Sequence, residues 1–158
     1  MIIDSHAHIY PDKIAHKAAR SIGDFYDIDM DLDGTVDMLL KVGDEAGVDK
    51  FLVHSVATTP HQVRSINSFI AKSVSEHPDR FIGFATLHPD CGDEIPEIVD
   101  EAISLGLDGI KLHPDFQKFD IDSPEAMRMY EVLEGRLPIL FHTGDYRTQY
   151  SKPTKIIK

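Results

Sequence analysis

Four short apolar segments, which begin at residues 51, 81, 109 and 137, recur at an interval of about 28 to 30 residues, and this spacing restricts the fold strongly. The predicted strands cover residues 2–9, 51–57, 81–87, 109–114 and 137–144. Apolar residues at helical spacing lie between them, over residues 12–22, 35–46, 60–75, 93–105 and 124–134. Alternating strands and helices of this length are typical of a parallel sheet with right-handed crossovers.

The repeat is that of a (β/α)8 barrel, and this chain has about five of the eight units. A complete barrel takes roughly 250 residues, whereas the chain has 158. Three further units at the observed interval would need about 85 to 90 residues. We therefore expect residues 1–158 to form one α/β domain, an incomplete TIM-type barrel of parallel strands with the helices outside. The aspartate-rich residues 10–34 are a candidate lid or connector.

A five-stranded piece of a barrel has unpaired edges at its first and fifth strands, and such edges invite pairing with another chain. Three explanations are open. The chain is a truncated product, which is the favoured one, or a split barrel that another copy or a partner completes, or a half-barrel that is stable alone. The open edges therefore predict a homo-oligomer or a completing chain.

Polar side chains collect where the predicted strands end, which is where α/β barrels carry their chemistry. His6 and His8 are two residues apart on the first strand, so their side chains leave the same face, ~7 Å apart along the strand. Two neutral imidazoles on one face can bind one metal ion at roughly 2.0–2.1 Å each. The later strands end in His88, Lys111, His113 and His142.

Composition limits the partners of the protein. The 16 basic and 27 acidic side chains give a net charge of −11, which would repel nucleic acid and anionic membranes. No segment approaches the ~18 continuous apolar residues of a membrane span, and no signal peptide is recognisable. With Cys91 as its single cysteine, the chain cannot form an intramolecular disulfide. The sequence thus predicts a soluble, cytoplasmic protein that acts on a small molecule.

Four motifs resemble those of the metal-dependent amidohydrolase superfamily, namely IIDSHAHIYP, GFATLHPD, GIKLHPDFQ and LPILFHTGD. They are similar in particular to the amidohydrolase-related branch that includes aminocarboxymuconate-semialdehyde decarboxylase. The resemblance implies that His6, His8 and His142 bind a divalent metal, with zinc favoured and manganese or iron as alternatives. In that branch a histidine on the sixth strand and an aspartate on the eighth complete the site, and both lie beyond the predicted fifth strand.

Other polar residues are candidates for substrate contact or for support of the metal ligands. Asp4 shares the face of His6 and His8 but lies deeper, so we assign it a supporting role. Lys111 or His113 is expected to contact an anionic substrate. Two alternatives stay open for Lys111, an ion pair with a nearby carboxylate and the carboxylated lysine that bridges two metals in some amidohydrolases.

Three further side chains need an interpretation. His88 ends the third strand and is a candidate for the site, and Arg147 follows the fifth strand and could meet a substrate carboxylate. His54 lies inside an apolar strand and is interpreted as a hydrogen-bonded residue of the core, with a role in the site as the alternative.

The favoured function is that of a metal-dependent hydrolase or nonoxidative decarboxylase of a small carboxylated molecule, incomplete as this chain of 158 residues. One alternative is a catalytically inactive fragment or interaction module, because the late-strand residues are missing. Another is a TatD-like phosphoester hydrolase, which also opens with H-x-H but has a glutamate where this chain has Lys111.

Overall fold

The structure, a computed structural model, describes residues 1–156, which form a curved sheet of five parallel strands. The strands are β1 (Ile3–His8), β2 (Lys50–His54), β3 (Phe81–Thr86), β4 (Gly109–Leu112) and β5 (Ile139–Phe141). They lie side by side in the order of the sequence, and every neighbouring pair is parallel. This confirms the predicted half of an α/β barrel. The last two residues of the predicted domain, 1–158, lie outside the described residues.

Helices connect the strands, as the apolar periodicity predicted for all of them except the four-residue helix after β4. They are α1 (Asp12–Tyr26), α2 (Val36–Ala46), α3 (Val63–Glu76), α4 (Ile95–Ser104), α5 (Pro114–Gln117) and α6 (Pro124–Leu133). Short 3-10 turns cover Pro60–Gln62, Pro89–Glu94 and Pro153–Lys155. No helix within residues 1–156 has the length and apolar character needed to cross a membrane.

Helix ends follow from local chemistry. The Thr35 hydroxyl accepts the Met38 N–H at the start of α2, and the Ser123 hydroxyl accepts the Ala126 N–H at the start of α6. Gly47 ends α2 with a φ of 71°, a left-handed conformation that glycine adopts without steric cost. Each of these boundaries was predicted from the sequence.

The apolar core lies between the sheet and the helices. Phe51 and Val53 of β2 are buried there, among residues of α3, α4 and α6 that include Ile70, Val99 and Met129. Because successive side chains of a strand point to opposite faces, the neighbours of Phe51 and Val53 face the concave side of the sheet. His54 is one of these, so this alternation places it on the inner face at the end of β2.

Two elements differ from the prediction in ways that affect the inner face. Helix α1 continues to Tyr26 rather than ending near residue 22, because the Phe25 ring packs against Phe116 at 4.5 Å between centroids. Strand β2 ends at His54 rather than at residue 57. The chain leaves the sheet there, where the Ala57 N–H donates to the side-chain hydroxyl of Thr86 on β3 instead of to a backbone carbonyl of that strand.

Candidate metal centre

Five histidines meet at the carboxyl ends of the strands on the inner face. They belong to two separate groups of side chains. Within each group, the possible ligand atoms all lie within 4.8 Å of one another. The β1–β2 group consists of His6, His8 and His54, and the β4–β5 group consists of His113, Asp115 and His142. The structure therefore brings His6 and His8 together as predicted, and it places His142 beside His113.

The β1–β2 group has the spacing of metal ligands. The Nε2 atoms of His6 and His8 are 3.3 Å apart. One tetrahedral ion at roughly 2.0–2.1 Å from both nitrogens would hold them about 3.3–3.4 Å apart. The same separation suits a hydrogen bond between one protonated and one unprotonated nitrogen.

Backbone geometry orients the first of these histidines. The register of β1 against β2 shifts between Asp4 and Ala7, so β1 is irregular at His6. An Asp4 carboxylate oxygen accepts the His6 N–H at 2.9 Å within this irregular segment. Asp4 thus contacts the backbone of His6 and fixes its orientation.

His54 lies beside these two side chains without a hydrogen bond. It pairs with His8 in the register of β1 and β2, and its ring stands edge-on to His6 and His8 at 4.7 Å and 4.4 Å between centroids. The side chain is 0% exposed, and neither ring nitrogen has a hydrogen-bond partner among residues 1–156. Our interpretation of His54 as a hydrogen-bonded core residue is wrong, because the strand ends where its ring meets the inner face.

The histidines of the β4–β5 group, by contrast, form hydrogen bonds with neighbouring residues of the protein. The His113 Nδ1 accepts the Phe116 N–H at 3.3 Å, so a neutral His113 carries its proton on Nε2. The network then assigns a donor role to this Nε2–H toward the Tyr26 hydroxyl at 3.0 Å. The Tyr26 hydroxyl in turn donates to the His142 Nε2 at 3.2 Å. The His113 and His142 rings also stack, with 3.9 Å between their centroids and an angle of 6° between their planes.

Asp115 is also fully engaged. One carboxylate oxygen accepts the Ser151 hydroxyl at 2.5 Å, and the other accepts the Thr148 hydroxyl. An ion bound by the β4–β5 group would displace the Tyr26 hydroxyl from the His142 Nε2, and it would share the Asp115 carboxylate with two hydroxyl donors. In the β1–β2 group the corresponding contact is the one between the Nε2 atoms of His6 and His8, and the His54 nitrogens have no hydrogen-bond partner among residues 1–156.

Lys111 lies at the centre of the inner face, on β4 between Thr86 of β3 and Leu140 of β5. It is 0% exposed, and its Nζ has no hydrogen-bond partner among the described residues. The alternative in which Lys111 pairs with a nearby carboxylate is therefore wrong. Burial lowers the pKa of Lys111 to about 8.

The same burial acts on the histidines around Lys111. Burial is the largest cause of the lowered pKa of all five, and the positive charge of Lys111 lowers each pKa further. Burial together with the neighbouring His6 brings the pKa of His8 to about 3. The site therefore contains neutral imidazoles, the form that binds metal.

His88 and Arg147 make other contacts than those of the two groups. The His88 Nδ1 accepts the Asp90 N–H at 3.2 Å and caps the turn at Pro89–Glu94. The Arg147 guanidinium pairs with Asp145 at 2.7 Å and lies over the Phe25 ring at 4.5 Å. Arg147 also donates to the Phe25 carbonyl, which fastens the segment after β5 to the end of α1.

An open cavity of about 470 Å³ lies in front of the two groups, a size suited to a small organic ligand. His6, His8, His113 and His142 form its polar wall. Tyr26, Phe116, Met30 and Leu39 contribute an aromatic and apolar wall. Tyr26 was missed at the sequence level, because the acidic residues around it concealed the last turn of α1.

The model of the amidohydrolase family matches residues 3–158, which is nearly the whole chain. The chain belongs to the amidohydrolase family. Among curated relatives of this amidohydrolase is 2-amino-3-carboxymuconate-6-semialdehyde decarboxylase of Dictyostelium discoideum. It is 34% identical over 70 residues, which are 44% of this chain and 20% of that protein. The resemblance drawn from the motifs is confirmed.

Solved structures show the same fold. The 5-carboxyvanillate decarboxylase LigW of Sphingomonas paucimobilis matches 90% of this chain with a TM-score of 0.68 and 19% identity. A dihydroxybenzoic acid decarboxylase of Polaromonas sp. JS666, solved with bound manganese, matches 92% with a TM-score of 0.61 and 18% identity. The matches cover 51% of each of those chains, so this amidohydrolase spans about half of their length.

Lowered histidine pKa values predict that acid destabilises the metal-free protein. Burial lowers the pKa of His54, and it brings the pKa of His8 to about 3 and that of His113 to about 2. Below the unfolded value of about 6.5, the unfolded chain binds protons that the folded chain rejects. Each of these histidines then removes up to about 1.4 kcal/mol of stability per pH unit as the pH falls from about 6.5.

Urea denaturation in the presence of a chelator, between pH 8 and pH 5, measures this loss. The free energy of unfolding should fall below about pH 6.5, and the lowered pKa of Lys111 should add a further fall as the pH decreases through about 8. A His54→Leu variant should show a shallower fall, because one histidine that resists protonation is gone. An unfolding free energy that does not change between pH 7 and pH 5 would contradict the prediction.

Proposed function

We propose that this protein is a metal-dependent enzyme that decarboxylates, or alternatively hydrolyses, a small carboxylated molecule. The observation that carries the proposal is the convergence of five neutral histidines on a buried lysine without a partner. Membership of the amidohydrolase family supports it, since the resemblance implies a metal on His6 and His8. The relatives and solved structures described above are decarboxylases, which favours decarboxylation over hydrolysis.

His6 and His8 would hold the divalent ion, and His142 would join them once the Tyr26 hydroxyl releases its Nε2. Two observations support metal binding at these residues. The Nε2 atoms of His6 and His8 are 3.3 Å apart, and the ring nitrogens of the adjacent His54 have no hydrogen-bond partner among residues 1–156. Imidazole ligands suit zinc, and manganese is an alternative. When bound, a divalent ion supplies Lewis-acid polarisation of a substrate oxygen.

Lys111 would bind the carboxylate of the substrate. A buried ammonium group without a hydrogen bond is costly, and an incoming carboxylate would offset that cost. The aromatic wall of Phe116 and Tyr26 would orient a flat substrate in the cavity and exclude water from it. Before the ion binds, the Tyr26 hydroxyl joins His113 to His142 by hydrogen bonds, and after it releases His142 it would keep its hydrogen bond with His113.

The net charge and the free strand edges support proposals about the location and the partners of the protein. We propose a cytoplasmic enzyme of small molecules without nucleic-acid or membrane partners, as the charge of −11 supports. In the described residues β1 and β5 each pair with one strand only. Their free edges would pair with a second copy or with a completing chain.

Removal of one proposed ligand tests the metal. The purified wild-type chain should contain about one equivalent of zinc or manganese by elemental analysis. His6→Ala should lower the metal affinity by at least about tenfold, because one of the ligand nitrogens is lost. Release of carbon dioxide from carboxylated phenols such as 2,6-dihydroxybenzoate should fall in parallel.

His61→Ala serves as the matched control, because His61 is exposed and lies outside both groups. Its metal content should equal that of the wild type. Stoichiometric metal that is unaffected by His6→Ala would refute the proposed ligand set.

Replacement of Lys111 separates stability from substrate binding. Lys111→Met removes a buried unpaired amine and keeps a side chain of similar length, so it should stabilise the fold by about 1–3 kcal/mol. Binding of benzoate, measured by calorimetry, should weaken at least about tenfold, because the carboxylate loses its cationic partner.

Lys41→Met, at an exposed position of α2, should change neither quantity appreciably. If Lys111→Met binds benzoate as the wild type does, Lys111 is not the carboxylate contact.

A further inference from the structure

We infer that His54 is a direct ligand of the ion that His6 and His8 bind, so that β2 contributes a third imidazole to the metal centre. This inference rests on the metal site in the proposed function. It adds a ligand from a strand that neither the H-x-H motif nor the family resemblance assigns to the metal.

The register of the sheet places His54 where a ligand is needed. His8 and His54 are paired residues of β1 and β2, so their side chains leave neighbouring strands on the same face. The ligand atoms of the β1–β2 group all lie within 4.8 Å of one another. The His54 ring is at 76° to that of His6 and at 87° to that of His8, so the three rings converge without stacking.

The lack of hydrogen bonds at His54 is the second observation. A buried polar group without a partner costs about 1–3 kcal/mol, and such groups are rare. His88 and His113, the other buried histidines of residues 1–156, each accept a backbone N–H. His54 is 0% exposed and has neither a protein donor nor a protein acceptor. An ion shared with His6 and His8 would give one of its nitrogens the partner that it lacks.

The β4–β5 group offers the ion a poorer position. Binding there would cost the hydrogen bonds from Tyr26 to His142 and from His113 to Tyr26. It would also compete with the hydroxyls of Thr148 and Ser151 for the Asp115 carboxylate. At the β1–β2 group, binding displaces at most the contact between the two Nε2 atoms of His6 and His8.

Cobalt binding to the purified chain tests the inference with a readout independent of activity. Co²⁺ is added to metal-free wild type and to His54→Leu, and its ligand-field spectrum and dissociation constant are measured. Leucine replaces the imidazole with an apolar side chain, so urea denaturation should show metal-free His54→Leu to be at least as stable as the wild type. We expect His54→Leu to bind Co²⁺ at least about tenfold more weakly and with an altered spectrum.

Two further variants separate the possible failures. If His54→Leu keeps the wild-type affinity and spectrum while His6→Ala loses the ion, the role of His54 is refuted and the proposed function stands. If both variants keep the ion, the proposed function fails as well. Loss of Co²⁺ from His113→Leu, with His54→Leu unaffected, would locate the ion at the β4–β5 group and overturn the inference.

Discussion

The parallel pairing of β1 with β2 is the constraint on which the candidate metal centre depends. This pairing sets His8 beside His54, and the irregularity of β1 at Asp4 orients His6 toward them. The arrangement buries both ring nitrogens of His54 without a hydrogen-bond partner among residues 1–156. Such a group is costly in a fold of marginal stability, so its persistence indicates a ligand.

The two polar groups of the inner face have different physical characters. In the β4–β5 group, Tyr26 and the hydroxyls of Thr148 and Ser151 satisfy the ligand atoms, so it forms a rigid wall. At His54 of the β1–β2 group and at Lys111, buried nitrogens have no hydrogen-bond partner in the part of the chain that the structure describes. The proposed function would use both characters, because a binding site needs unsatisfied atoms on a surface that keeps its shape.

The strands and the helix ends could be predicted from the sequence, because the residues that determine them are close together in the chain. The apolar spacing predicts the five strands, and Thr35, Gly47 and Ser123 predict helix ends through contacts within four residues. His54 could not be recognised, since the apolar run continues past it to Ala57 and conceals the end of β2. The Tyr26 contacts span 87 and 116 residues, and no local pattern reports pairings of that kind.

Anomalous diffraction from crystals of the zinc-loaded protein, recorded on both sides of the zinc absorption edge, tests the central claim most directly. The metal centre described above predicts one strong peak on the inner face. That peak should lie about 2.0–2.1 Å from a nitrogen of His6, of His8 and of His54. A peak bonded to His113, Asp115 and His142, with the His54 nitrogens still unpaired, would contradict it.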